Sequence, residues 1–178
     1  MVSTASGTEA GLIESARAGD EAAFDALVGP LIEPAYKLAL VMLRDSEEAQ
    51  DAVQETCLKA WRKLPQLRPD SSMRPWFFTI LANHCRTVRR NRWWSVVKVP
   101  TILGREDFPG GEVDSDLDLN RALGKLSGTD RAAVFLFFSL DVPLVEVARI
   151  LKISPQAAKS RVHRAVVKLR LNMVEVAG

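Results

Sequence analysis

Apolar residues recur along this chain with helical rather than strand spacing. Leu12, Ile13, Ala16, Ala23, Phe24, Leu27 and Leu31 follow a three-to-four-residue repeat, the mark of helices with one buried face. The repeat breaks at Gly19-Asp20, where Asp20 is suited to cap a new helix. Pro30 and Pro34 then interrupt the pattern, which resumes through Tyr36, Leu38, Leu40 and Leu43. Asp45-Ser46, with Glu48 placed to answer either cap, starts a helix expected over roughly 47–64. Pro65, Pro69 and the polar residues 70–72 mark a loop. Pro75 fits the first turn of the next helix, which carries Trp76, Phe77, Ile80, Leu81 and Val88.

No period-two stretch is long enough to argue for a sheet. Periodicity fades over 92–118, where Pro100, Gly104, Pro109, Gly110 and Gly111 break the chain and acids gather after Arg105. That composition reads as a flexible linker. Helical spacing returns in Leu119, Leu123, Leu126, Val134, Leu136 and Phe137, then Val147, Ile150 and Leu151, then Val162, Val166 and Leu169. The fold class is therefore all-α: two small helical domains, 8–91 and 119–174, joined by a linker over 92–118. At 178 residues in total, each core is expected to be thin.

Charge sharpens this division. The net charge is +2. The balance is −1 over 1–91, −3 over 92–119 and +6 over 120–178. A basic final segment points to an anionic partner there. No apolar run reaches the ~20 residues that span a bilayer, so no membrane insertion is expected. Met1 to Gly11 has no basic-then-apolar signal pattern, which makes the cytoplasm the default. Cys57 and Cys85 lie in apolar-periodic stretches with no CxxC or paired histidine, and read as small buried residues. A phosphate-binding glycine loop, a metal-spaced His/Cys set and a two-metal carboxylate constellation are all missing. Neither an enzyme, a cofactor nor a metal site is expected.

The sharpest local signal spans Pro143 to Arg170. Leu144, Val147, Ala148 and Leu151 form one face of a short helix. Lys152-Ile153 makes a turn, Ser154 is a cap, and Pro155 takes the first position of a second helix whose inner face holds Ala158, Val162, Ala165 and Val166. This is a helix-turn-helix pattern. Gln156, Lys159, Ser160, Arg161, His163 and Arg164 lie outward, and no acid occurs between Glu146 and Glu175. Cations for phosphates and donors at a helix start suit the major groove of DNA. Lys152 stands where such turns often use glycine, with an expected strain of about 1 kcal/mol.

Two faces of the first segment also carry candidate chemistry. On the helix near 47–64, Asp51, Glu55, Leu58 and Arg62 share an outward face beside Gln54. Acids around an exposed leucine suit a basic helical partner. The next helix presents Trp76-Phe77, Asn83, Arg86, Arg89, Arg90 and Arg92, then Trp93-Trp94, with no acid between Asn83 and Lys98. Arginines interleaved with aromatics and an amide suit a strand with unstacked bases. Trp76 and Phe77 read more as core residues than as base platforms, and Trp93-Trp94 suggests no role.

These residues together resemble a known family. Leu12-Ile13 through Gly19-Asp20 and Ala23-Phe24, Asp51-Ala-Val-Gln-Glu55 with Leu58-Lys-Ala-Trp61, and Trp76 to Asn83 with Arg89-Arg90 look like region 2 of extracytoplasmic-function sigma factors. Leu126-Ser127, Glu146-Val-Ala148, Leu151-Lys-Ile-Ser154 and Ala158-Lys-Ser-Arg-Val-His-Arg-Ala165 resemble region 4. Cys57 departs from a common Phe, and Ala157-Ala158 from a Gly-Thr-Val-like lead. The resemblance implies a non-enzymatic subunit, monomeric when free, that binds core RNA polymerase through the β′ clamp helices and the β flap. Asp51, Gln54, Glu55 and Leu58 would meet the clamp. Arg68, Arg74, Trp76 and Asn83 would hold the −10 strand, with Arg86, Arg89 and Arg90 on its phosphates. Gln156, Lys159, Ser160, Arg161, His163 and Arg164 would read the −35 duplex. An anti-sigma factor would hold the protein inactive. The competing expectation is a stand-alone helix-turn-helix regulator acting as a homodimer on palindromic DNA.

Overall fold

A computed structural model describes residues 4–68, 71–96 and 125–176 of the chain. Among the described residues there are seven α-helices: α1 (Thr4–Arg17), α2 (Glu21–Leu43), α3 (Ser46–Lys63), α4 (Met73–Val96), α5 (Gly128–Val134), α6 (Leu144–Leu151) and α7 (Pro155–Val176). A 3-10 turn, Leu64–Gln66, follows α3, and α5 runs on into a π-helical turn, Phe135–Ser139. No strand occurs among the described residues.

Local chemistry sets several boundaries as expected. Asp20 Oδ1 accepts from Ala23 N at 3.2 Å, and Asp45 Oδ1 from Glu48 N at 2.9 Å, so orphan amides at the starts of α2 and α3 are satisfied. Ser154 Oγ accepts from Ala157 N at 3.1 Å and opens α7. Lys152 ends α6 in the left-handed region at φ 52°.

Three expectations are corrected. The two prolines do not interrupt α2, which passes through both. Each costs the helix one backbone hydrogen bond. Their four-residue spacing puts both losses on one edge, where Pro30 is exposed and Pro34 half-buried. Burial of Ala35, Leu38, Ala39 and Met42 on the other side holds the helix together. By length and composition α2 is also apolar enough to cross a membrane, but Asp25, Glu33 and Lys37 interrupt it and half of its apolar stretch is buried here as in a core helix.

The linker boundary also moves. α4 continues to Val96, five residues beyond the expected domain end, and 97–118 lies outside the described residues.

The third correction concerns the cores. In place of two thin cores there is one continuous cluster. α2 packs on α1, α3, α4 and α5, and α4 packs on α6. Phe77, Phe78, Leu81 and Cys85 of α4 share this cluster with Leu136, Val147, Ile150 and Leu151, all fully buried. Phe24 meets Trp61 edge-to-face at 5.0 Å. Merging the two halves removes more apolar surface from water than either could alone.

Arg131 is the polar centre of the junction. It is buried, and Nε donates to Val41 O at 2.7 Å while Nη1 donates to Leu126 O at 2.6 Å. Val41 lies near the carboxyl end of α2, where carbonyls lack helical partners. Burial, with the charges of Arg44 and Arg89, pushes Arg131 down to about 10.

Candidate nucleic-acid and polymerase interface

The recognition helix presents its cations outward. Gln156, Lys159, Ser160, His163 and Arg164 are all exposed, while Ala158, Val162 and Ala165 are buried beneath them. Ala157, Lys159, Ser160, His163 and Arg164 line an open concavity on that side. Hydroxyl, imidazole, ammonium and guanidinium groups there can donate to phosphates or base edges.

Arg161 is placed differently. Its Nη1 lies 2.8 Å from Asp130 Oδ1 at the start of α5. Its Nε is buried with no hydrogen-bond partner. Asp130 in turn accepts from Ser127 Oγ through Oδ2 at 2.7 Å, and Ser127 Oγ accepts from Asp130 N. Burial alone would raise the Asp130 carboxyl. Hydrogen bonds from Ser127 and Arg161, with the charges of Arg161 and Arg164, more than offset this and hold it below its ordinary value. Arg161 thus braces α7 against α5 instead of sharing the open face. The signal was present in the spacing: Arg161 is three residues after Ala158 and four before Ala165, both buried.

The α3 face has the expected geometry. Asp51, Gln54, Glu55, Leu58 and Arg62 are exposed, and Leu58 is 51% exposed, a high value for a leucine. Ala52, Val53, Thr56 and Ala60 are buried on the opposite side. Lys59 pairs with Glu55 at 3.6 Å and its Nζ donates to His84 Nδ1 at 2.8 Å. Burial, then the Lys59 charge, lowers His84 and favours the neutral imidazole that accepts this bond.

The α4 stripe is not the free cationic surface that the sequence implies. Arg86 is half-buried; Nη1 donates to Leu151 O at 2.8 Å and Nη2 to Asn83 Oδ1 at 3.1 Å. Arg74 Nη2 donates to Leu140 O at 2.7 Å. Trp76 packs half-buried against the core. Arg68, Arg89 and Arg90 are exposed. Arg89 passes so close to Gly128 that a Cβ there would lie 2.2 Å from its Nη1. The cause is long-range: α6 and the turn after α5 lie on α4 and offer carbonyls to its arginines. Trp93-Trp94 side chains lie outside the described residues.

No group of three or more potential metal ligands occurs among the described residues. Cys85 is buried, and burial pushes its thiol up to about 12.

The order of these parts matches known proteins. The Sigma-70 region 2 family matches residues 27–95, and the Sigma-70, region 4 family matches residues 116–169. This chain belongs to the extracytoplasmic-function sigma factors. The sigma factor SigL of Mycobacterium tuberculosis is 32% identical over 171 residues, covering 92% of this chain and 96% of SigL. SigM of the same organism is 29% identical over 163 residues, covering 91% and 83%. Among solved structures, the sigma factor RpoE of Bartonella quintana, in complex with the anti-sigma factor NepR, superposes with a TM-score of 0.74 at 26% identity, covering 84% of this chain and 96% of RpoE. The likeness spans both regions in order, so the homodimeric-regulator reading is not favoured. This sigma factor is a transcription-initiation protein, acting with RNA polymerase at promoters.

Proposed function

We propose that this sigma factor divides promoter recognition between its two helical regions, and does so in the cytoplasm without chemistry of its own. Asp51, Gln54, Glu55 and Leu58 dock on the polymerase β′ clamp helices. The exposed face of α7 reads the −35 duplex through Gln156, Lys159, Ser160, His163 and Arg164. The α4 face, with Arg68, Arg74, Trp76, Asn83, Arg86, Arg89 and Arg90, takes the unpaired −10 strand. The β flap receives the second region, and an anti-sigma factor restrains the chain, as NepR is bound by its structural neighbour.

The observation that carries this reading is the acid-free, exposed donor face of α7 above a buried inner face. The clamp face is tested by Asp51→Lys combined with Glu55→Lys. Co-purification with core polymerase should be lost while helicity is retained; unchanged co-purification refutes the docking face. On the duplex side, Arg164→Ala should weaken −35 binding by about 1–3 kcal/mol in a gel-shift titration.

A further inference from the structure

The crossing from α3 to α4 is tied at both ends to α1. At its start the half-buried Arg17 donates from Nε to Leu64 O at 3.4 Å and from Nη2 to Leu67 O. Bonds from a guanidinium to backbone carbonyls are charge-assisted and hold the backbone itself. Glu14 steadies the donor, with Oε1 2.5 Å from Arg17 Nη1. At the far end Glu9 Oε1 accepts from Met73 N at 2.7 Å and from Ser72 Oγ at 3.2 Å. Met73 is the first residue of α4. A carboxylate from another helix thus satisfies an amide that α4 cannot, and favours the positive end of its dipole.

The two ties lie eight residues apart on α1, about 12 Å along its axis. That helix is itself fixed. Ile13 and Ala16 are buried between the ties, and α1 packs on α2 and on the 3-10 turn. Leu64, Leu67 and Met73 are buried, while Arg68, Ser72 and Arg74 beside them are exposed. The backbone of the crossing is therefore held from beneath and its polar side chains are left free to meet a ligand. The Sigma-70 region 2 match begins at residue 27, so α1 lies ahead of it.

We propose that Glu9 and Arg17 are positioning residues for base selection: they hold Arg68, Ser71, Ser72 and the start of α4 in the geometry that discriminates among unpaired −10 bases. This rests on the strand reading of Arg68, Arg74, Trp76 and Asn83 above. Neither Glu9 nor Arg17 touches the strand. Phosphate contacts supply affinity, and base contacts supply specificity. Arg86, Arg89 and Arg90, assigned to the phosphates, stand more than three turns beyond Met73 and do not depend on the ties. Loosening the hold of α1 lowers discrimination between bases, which is a difference of affinities, and leaves the total grip on a strand nearly intact.

The test uses the full chain assembled with core polymerase and a DNA pool whose duplex runs into a randomised single-stranded segment. Bound molecules are sequenced, and total affinity for the pool is titrated in parallel. Wild type should enrich a preferred base at one or more unpaired positions. Glu9→Ala combined with Arg17→Met should lower that enrichment about fivefold, the low end of what one base contact discriminates. Total affinity should stay within about twofold, since the phosphate contacts remain. Glu9→Gln keeps an oxygen for Met73 N and Ser72 Oγ and should restore the preference in the presence of wild-type Arg17.

Unchanged enrichment in a folded double variant overturns the role of α1 and leaves the strand reading standing. Enrichment and total affinity falling in parallel also overturns it, because the ties would then serve only the fold. A wild-type complex with no base preference at any unpaired position overturns the strand reading itself. Should the double variant fail to fold, Glu9→Ala and Arg17→Met are read singly by the same measurement, and unchanged enrichment in both refutes the proposal.

Discussion

Breaking the brace between α7 and α5 separates two roles that a surface arginine can play. Arg161 and Asp130 meet at 2.8 Å with their side chains 32% and 22% exposed. A fully exposed pair contributes about 0.2–1 kcal/mol, and a hydrogen bond to a charged group about 1.5–3 kcal/mol. With most of both side chains shielded, the pair belongs between these limits, at about 1–2 kcal/mol. Arg161→Ala and Asp130→Asn should each lower stability by that amount. The double variant should cost about as much as either single change, since both remove one interaction. Urea denaturation measures the cycle.

DNA binding supplies the discriminating arm. A cation on a phosphate contributes about 0.9 to the slope of log affinity against log salt. Lys159→Ala should reduce that slope, whereas Arg161→Ala should weaken −35 binding while leaving the slope intact, as should Asp130→Asn. A lower slope for Arg161→Ala, with Asp130→Asn binding normally, would refute the brace. The pH dependence has a definite sign. The folded-state value of Asp130 lies below its ordinary one. Its contribution is therefore full above the ordinary carboxylate range and lost as pH falls through the lower folded value. Asp130→Asn should remove that portion of the acid sensitivity.

Two further outcomes follow from backbone and burial. Lys152→Gly should raise stability by about 0.5–1 kcal/mol in thermal unfolding, because Lys152 occupies φ 52° at a steric cost that glycine escapes. Cys85 should resist alkylation at neutral pH in the native chain and react on denaturation, since its thiol is buried and pushed up to about 12; rapid native labelling, mapped by mass spectrometry, would contradict its placement.

Local signals were legible in the sequence. Asp45, Ser154, Lys152 and the outward set Asp51, Glu55 and Leu58 depend on neighbours within one or two turns, and caps, turns and helical spacing record such relations. The tie from Arg86 to Leu151 and that from Arg131 to Val41 join residues 65 and 90 positions apart. No periodicity encodes which carbonyl a guanidinium will find at that distance. Arg131 follows Asp130 in a short polar run and gave no sign that it would be buried. The prolines of α2 misled for the opposite reason. Their local cost is real, but packing against α1, α3, α4 and α5 outweighs it.

That same helix has a bearing on biosynthesis. A segment lacking two of its own backbone bonds holds its shape only through neighbours. Those neighbours include α4, whose first residue is Met73. As the polypeptide leaves the ribosome, α2 must wait a further thirty-odd residues before α4 begins to supply its mould, and longer still for α5, which completes it. The apolar stretch meanwhile stays open to chaperones, and the helices around it mature together rather than one by one.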